Sequence, residues 1–589
     1  MKFVKWIGLS LFVAGFSFFN YFFFASDYRL MPDGVKAHLD DARAALFLSQ
    51  SGDLIDRTVA SQFDFVAELK LTAARANKRV EHDYGIQESE LQKLLAASAP
   101  VFLIHRVDSL WRDSTPEHEF KRKAFRDYGS WLDGQPVTID QLTLVADNIR
   151  QYAVIPTFGF DRYATKGLLY SLTKASSTGP LPKQPLLFLL LSVGLTLVGA
   201  LMFIFPKLAR HPGIQSNGIF FQAIKNTGWL GVLLGSWLIL FYVVLYFYPE
   251  YMVNWIILVD PVSRWISGHE AGRFFLYGFI YTLCILVMGV RFLIHYRHSS
   301  YHLWRTASVM FFPTAFAFLI PEILVRLNQP YFDFKNIWPL DYSFFFDYRL
   351  DQLMANGSLG IFMLVWGIVL IVVAVPVLVY FFGKRWYCSW VCGCGGLAET
   401  LGDPFRQLSS KKISAWRVER WMIHAVLVFA VVMTGGVLYT YFTGSSQVLF
   451  FNSYDVREWY GALIGAGFAG VVGTGFYPLM GNRVWCRFGC PLAAYLGLVQ
   501  RFKSRFRITT NGGQCISCGN CSTFCEMGID VRWYAQRGQN IVRSSCVGCG
   551  VCSSVCPRGV LNLEVRDEAN RFGQPVLTGN NGVMQEGRA

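Results

Sequence analysis

Apolar runs set the pattern of this chain. A helix needs about 20 mostly apolar residues to cross the hydrocarbon of a bilayer, and eight stretches qualify: 4–25, 185–205, 228–248, 272–294, 307–326, 357–382, 421–442 and 461–480. The fifth carries Pro313, Pro321 and Glu322, which predicts a kinked or partly re-entrant span. The first follows only Lys2 and Lys5 and has no small-residue cleavage signal close behind it, so residues 1–25 read as a retained anchor. Between the first two spans the periodicity changes. DGVKAHLDDARAALFLSQ and ESELQKLLAASAPVFLIHRV repeat apolar residues at helical intervals, predicting a helical domain over 26–184. Its Ser/Thr-rich end, SLTKASSTGPLPKQP, reads as a linker into the second span, and the polar stretch 566–589 as a disordered tail. The fold class that follows is mainly α: a polytopic helical membrane protein of about eight spans.

Composition agrees with that pattern. Of 589 residues, 53% are hydrophobic and 16% aromatic, with a mean hydropathy of +0.33, which excludes an ordinary soluble globule. The formal charge of +14 would ordinarily raise nucleic-acid binding, but its distribution gives another reading. Lys207, Arg210, His211 and Lys225 follow the second span, Arg297 and Arg305 lie near the end of the fourth, and Lys384, Arg385, Lys411, Lys412, Arg417 and Arg420 follow the sixth. The alternate loops, 249–271, 327–355 and 443–460, are aromatic and acidic, with Asp333, Asp341, Asp347 and Asp351. Short basic loops face the cytoplasm, so both termini are expected there and residues 26–184 outside. The charge is then the positive-inside signature and an attraction to the lipid bilayer, with no nucleic-acid partner. Thirteen of the 14 cysteines lie from Cys388 onward, and the other, Cys284, is within a span. None falls in an outward segment, as a reducing compartment requires.

The cysteines carry the chemistry. CISCGNCSTFC supplies Cys515, Cys518, Cys521 and Cys525, and CVGCGVCSSVC supplies Cys546, Cys549, Cys552 and Cys556. This C-x2-C-x2-C-x3-C spacing, in duplicate, is that of a two-cluster ferredoxin, predicting a 2[4Fe–4S] domain over 501–565. The fourth thiolate of each run crosses over in such pairs, so one cluster takes Cys515, Cys518, Cys521 and Cys556, and the other Cys546, Cys549, Cys552 and Cys525. Cys556 is followed by Pro557 as the bacterial pattern expects, whereas Cys525 is followed by Glu526. A zinc ribbon needs two CxxC pairs rather than two four-cysteine runs.

Two further motifs sit where a predicted span meets the cytoplasm. WYCSWVCGCGG carries Cys388, Cys392 and Cys394 in the loop 383–420, and VWCRFGCP carries Cys486 and Cys490 within 421–500. On a helix, C-x3-C stacks two sulfurs on one face, one turn apart, and Pro491 biases Cys490 out of the helical region. Four thiolates, Cys388, Cys392, Cys486 and Cys490, could converge on copper, zinc or an iron–sulfur centre, with Cys394 a spare ligand or redox partner. The bland alternative is small residues packing helix ends.

Paired W-C-x3-C motifs ahead of the eight-cysteine run make residues 357–565 resemble the membrane polyferredoxins of the NosR, NapH and CcoG type, whose members are associated with nitrous-oxide reductase, periplasmic nitrate reductase and cytochrome oxidase assembly. The outward N-terminal domain makes the layout most similar to the NosR type. The resemblance implies a bacterial inner-membrane electron-transfer protein, a cytoplasmic electron donor and an exported reductase or oxidase client. Two departures stand out. CSWVCGCGG lacks the proline of C-x3-C-P, and the string nearest a flavin-attachment motif is Ser177-Thr178-Gly179-Pro180, so covalent flavin is not expected.

His295, His298, His302 and His424 lie near the expected cytoplasmic surface. A bis-histidine haem would need His295 and His424 to face each other; interfacial anchoring is the simpler reading. Glu322 either faces a polar cavity within the fifth span or sits at its interface. The expected function is electron transfer between a cytoplasmic donor and a membrane or exported partner. The alternatives are an assembly factor that reduces or loads a metal such as copper, and a quinol-linked redox subunit.

Overall fold

The computed structural model describes residues 2–97, 101–102, 104–113, 115–209, 228–449, 451–566, 577–578 and 584–585. The predicted tail from 566 and the basic residues Arg210, His211 and Lys225 lie outside the described residues, apart from the two residue pairs above and residue 566. The chain divides into two units: Met1–Phe16 with Leu190–Phe247 and Val259–Ala589, and Ser17–Leu189 with Tyr248–Leu258.

The first unit holds the long helices. In chain order these are α1 (Lys2–Tyr21), α2 (Pro185–Ala209), α3 (Trp229–Phe247), α4 (Arg273–His295), α5 (Ser300–Arg326), α6 (Gly357–Phe382), α7 (Ile413–Thr443) and α8 (453–475). All but α3 and α8 are long and apolar enough to cross a membrane on their own. From Gly231, α3 is one arm of a pair with Pro249–Ile266, bent by 116°; Pro249 has no N–H to continue the first helix. The expected eighth span, 461–480, falls on α8, which is not among the helices that pass on length and apolarity alone. Helix α8 opens on the polar turn Ser453–Tyr460, is rich in glycine from Gly461 onward and ends at Gly475, so it falls short on apolarity, and Tyr477–Met480 is a separate turn. Among the described residues six helices pass this test singly, and the bent pair makes a seventh if it is counted as one span. Helix α5 begins at Ser300, earlier than expected, and passes Pro313 without re-entering, as a π-helical stretch over Pro313–Leu319.

Small residues let these helices meet backbone to backbone. A Cβ on Gly8 would lie 2.8 Å from the Gly199 carbonyl, and one on Gly15 2.6 Å from that of Ser192. The rising number on α1 matches the falling number on α2, so the pair is antiparallel.

In the second unit the expected helices form over Asp41–Gln50, Gln62–Tyr84 and Glu88–Ala97. Side-chain caps start several of them: Asp40, Ser61 and Thr115 each accept a backbone N–H, and Thr138 with Gln141 forms a capping box. The expected linker is corrected. SLTKA continues the helix Arg162–Ala175, which buries Leu168, Leu169 and Leu172, and Ser177–Thr178 pairs antiparallel with Asp27–Tyr28. The Ser-Thr-Gly-Pro string is therefore the edge of a small sheet.

Candidate metal centres

The C-terminal end of the first unit closes on a hairpin-like pair of distant strands, Phe506–Thr510 against Leu561–Val565, with Phe506 opposite Val565 and Thr510 opposite Leu561. This pairing brings the ends of the duplicated run together. Each run then makes the same loop. Ser517 and Gly519 have φ of +58° and +81°, and Gly548 and Gly550 have φ of +61° and +80°. These left-handed positions turn the chain around its cysteines, and only Ser517 carries the Cβ penalty. Cys515, Cys518, Cys521 and Cys556 line one cavity. Cys525, Cys546 and Cys552 lie close enough to influence one another's ionisation. Burial pushes the Cys521 thiol up to about 12 and Cys546 up to about 11, so both would be inert as free thiols. Coordination by a metal supplies the positive charge that burial denies them, and the donor set fits thiolate-ligated clusters.

The second loop is held by the membrane unit. Tyr301 Oη donates to the Gly548 carbonyl (2.9 Å), Lys384 Nζ to that of Ser544 (3.1 Å), Ser389 Oγ to that of Val547 (2.7 Å) and Gln500 Nε2 to that of Cys546 (3.0 Å), while Arg305 donates to the Cys549 carbonyl. Phe292 and Tyr296 at the end of α4 pack against Phe524, Val551 and Val555. The ferredoxin region is a fixed part of the membrane unit.

Glu526 explains the missing proline. Its carboxylate accepts from Arg406 (2.5 Å) and Asn482 (3.2 Å) and pairs with Arg483 Nε at 3.1 Å. Glu399, on the helix Gly393–Thr400, takes Arg305 (2.8 Å), Arg406 (3.0 Å) and Arg483 (2.7 Å). All six side chains are buried. Burial alone would push the Glu399 carboxyl up; the three guanidiniums outweigh it and hold the group well below the usual carboxylate range. The Cys549 sulfur lies within 4.8 Å of both carboxylates, but their oxygens are already committed to arginine, so this trio is an ion network and not a cation site. Such a network costs heavily if one member is removed, and it ties four separate segments to the residue beside Cys525.

Five of the six remaining cysteines converge. Cys388, Cys392, Cys394, Cys486 and Cys490 line one cavity. The expected single-helix stacking is not how they meet. Cys388 ends the turn Arg385–Cys388, and Cys392 is the N-cap of Gly393–Thr400; Cys486 lies in the π turn Trp485–Gly489, and Cys490 is the N-cap of Pro491–Phe502, its sulfur accepting from Ala493 N at 3.3 Å. Two half-helices therefore point their N-termini at the thiols, an arrangement that favours negative charge. Nor is the site at the helix ends, as expected. A Cβ on Gly393 would lie 2.2 Å from Tyr281 Oη, well inside α4, and one on Gly489 2.1 Å from Phe468, in the middle of α8. Tyr495 Oη reaches the Ile371 carbonyl at 3.1 Å within α6, where the π stretch Leu370–Ala374 frees backbone acceptors. Both motif segments fold back between the spans.

The loop 327–355 reaches the same place from the other ends of the helices. Trp366 Nε1 donates to the Phe334 carbonyl (2.8 Å) and Trp338 Nε1 to Thr434 Oγ1 (3.0 Å), both inside spans. Lys335, paired with Asp333 at 2.9 Å, brings its Nζ within 3.8 Å of the Gly393 Cβ position. Of the basic residues flanking the motifs, Arg483 faces the site, its Nη1 3.8 Å from Cys486 Sγ. Arg385 instead stacks over Phe506, and Arg487 pairs with Glu419 at 2.7 Å. Sequence reasoning missed Glu526, Glu399 and Lys335; the exchanged proline after Cys525 was the one signal available.

The histidines do not form a haem pair. His295 packs edge-on to Tyr296, His302 contacts Ser299 and Ser554, and His424 lines a different cavity with Lys384. Glu322 is half-buried near the Arg326 end of α5, an interfacial position.

A family model described as a 4Fe-4S binding domain matches residues 364–414 and 462–509, the two segments that carry the deep cysteines. A second, a 4Fe-4S dicluster domain, matches 507–557. The chain is a ferredoxin-type iron–sulfur protein with two [4Fe–4S] clusters and several membrane-spanning helices. It is 28% identical over 157 residues to the putative electron transport protein YccM of Escherichia coli, a match covering 25% of this chain and 43% of the relative. It is 28% identical over 150 residues to the methylamine utilization ferredoxin-type protein MauN of Paracoccus denitrificans, covering 24% and 48%. The MauN protein of Methylorubrum extorquens is 26% identical over 210 residues, covering 34% and 66%. The chain thus spans less than half the length of the first two relatives. No solved structure matches it.

Proposed function

We propose that this protein carries electrons from a cytoplasmic donor, through two ferredoxin clusters, to a deep thiolate centre that serves a membrane or exported partner. In this reading Cys515, Cys518, Cys521 and Cys556 hold the outer cluster, and Cys546, Cys549, Cys552 and Cys525 the inner one. Cys388, Cys392, Cys486 and Cys490 hold a third centre, an iron–sulfur centre given the family description of both segments. Bound clusters exchange single electrons. The chain's own part is to fix their spacing, keep water out and stabilise thiolate charge with two helix N-termini and Arg483.

One observation carries the reading: the deep cysteines sit among mid-span residues, with one arginine side chain between Cys486 and Glu526, the neighbour of Cys525. A bilayer core of about 30 Å needs an intermediate stop, and Lys335 approaches this one from the opposite loop. Orientation follows the loop charges. It is supported by the gathering of the α2, α4 and α6 ends at the ferredoxin face, through Arg297 on the Leu208 carbonyl (2.8 Å), Arg291 on Asp403 (3.1 Å) and Lys384 on Ser544. A reporter fused to the C-terminus should read cytoplasmic and one near residue 93 external.

Iron analysis of anaerobically purified protein tests the centres: about twelve irons are expected, eight from the ferredoxin pair and four from the deep site. Cys388→Ala with Cys490→Ala should leave about eight. Copper or zinc at the deep site would instead favour the second reading, a metal-reducing or metal-loading assembly factor. Cys394 supports that reading as a fifth thiol in a cavity whose centre needs four. A client enzyme that is metallated but unreduced in a deletion strain points to electron transfer, and an apo client to assembly.

A further inference from the structure

A cavity of about 520 Å³ opens beside the start of α7, on the ferredoxin face. Lys384, Arg420, Arg487, Arg501 and Arg543 line it, each from a different segment of the chain. One carboxylate among the lining residues, Glu419, is taken by Arg487 at 2.7 Å. Three of the other cations have neutral partners, and Arg501 donates to the Val542 carbonyl at 3.2 Å. Lys384 is fully buried and holds the Ser544 carbonyl; Arg543 donates to Tyr534 Oη at 3.0 Å and lies over the Trp416 ring at 5.3 Å; Arg420 lies 5.6 Å from the rings of Trp416 and Trp421. Positive charge thus converges on one space in which Glu419 is the one carboxylate among the lining residues, a pattern that favours an anionic occupant.

The remaining wall is apolar, with Ile423, Leu498, Phe502 and Val542. Its depth is set by the spans: Lys384 comes two residues after the end of α6, and Trp416 and Arg420 lie in the first turns of α7. Trp421 and Phe502 beside it are 72% and 74% exposed, as interfacial aromatics are. An anion binder with an apolar flank at the headgroup level suits one ligand class, and the volume suits its head.

We propose that this cavity binds the phosphate headgroup of an acidic membrane lipid, its acyl chains leaving past Trp421 and Phe502. Cys486 lines both this cavity and the deep thiol cavity, so the bound headgroup closes one wall of the deep site against water. The inference rests on α7 being a span.

The test uses the full chain in nanodiscs of phosphatidylcholine with increasing phosphatidylglycerol, read by native mass spectrometry. Incorporation into the disc checks the span separately from lipid choice. Wild type should retain the acidic lipid selectively. Arg420→Gln and Arg543→Gln should each weaken it roughly fivefold and together about thirtyfold, at unchanged iron content, whereas Arg417→Gln should not. Equal retention of both lipids, or undiminished binding in a double variant with full iron, would overturn the proposal. A flavin or nucleotide released from the cavity would do so too. Should the double variant not fold, wild-type thermal stability decides: phosphatidylglycerol should raise it, and equal protection by inorganic phosphate alone would contradict a lipid source.

Discussion

The two four-cysteine loops are near copies in sequence and backbone and opposite in surroundings. Around Gly519 a new Cβ would meet only Arg532, at 3.9 Å, and Cys518 and Ile516 are exposed. Around Gly550, its counterpart, it would meet Tyr301 at 2.7 Å and Leu563 at 3.4 Å, and five side chains of the membrane unit hold the loop's carbonyls. One loop is exposed and the other is built into the protein. The difference teaches that duplication supplied two equal cradles and that docking gave them unequal surroundings, one exposed and one enclosed.

Glu526→Ala should break the asymmetry most. It leaves Arg406 and Arg483 buried with one carboxylate fewer, a loss of about 3–5 kcal/mol, seen as a lower unfolding midpoint and protease release of the C-terminal region; Pro557→Ala, at the matching place in the other run, should change little. Gly548→Ala forces a Cβ against Arg385 in a left-handed position and should cost about 1–3 kcal/mol, with earlier iron loss on heating. The matching Ser517→Gly should shift stability by less than about 1 kcal/mol. Tyr301→Phe removes a single docking hydrogen bond, about 1 kcal/mol. Equal responses of the two loops in these pairs would mean that docking does not distinguish them.

The ferredoxin cradles were legible because their signal is local: four cysteines within eleven residues define a loop whatever surrounds it. The depth of the other five was not. Residues 383–412 are too polar and basic to read as packed among the long helices, and what admits them is long-range pairing. Arg406 finds Glu526, and Arg305 finds Glu399, across 120 and 94 positions. Glycine-rich α8 carries a weaker apolar signal, and its small residues pack against neighbours such as Tyr246 and Tyr342. The Ser/Thr end of the second unit misled because composition outweighed the buried Leu168 and Leu172 just before it.

The central claim, that the deep thiols are a stop on a path between the two faces, is most directly tested in sealed proteoliposomes with an electron acceptor trapped inside and a low-potential reductant outside. Wild-type protein should reduce the trapped acceptor, and the Cys388→Ala, Cys490→Ala double variant should not, while keeping both ferredoxin clusters by electron paramagnetic resonance. Undiminished transfer in that variant would contradict the account and leave the deep cysteines as packing residues.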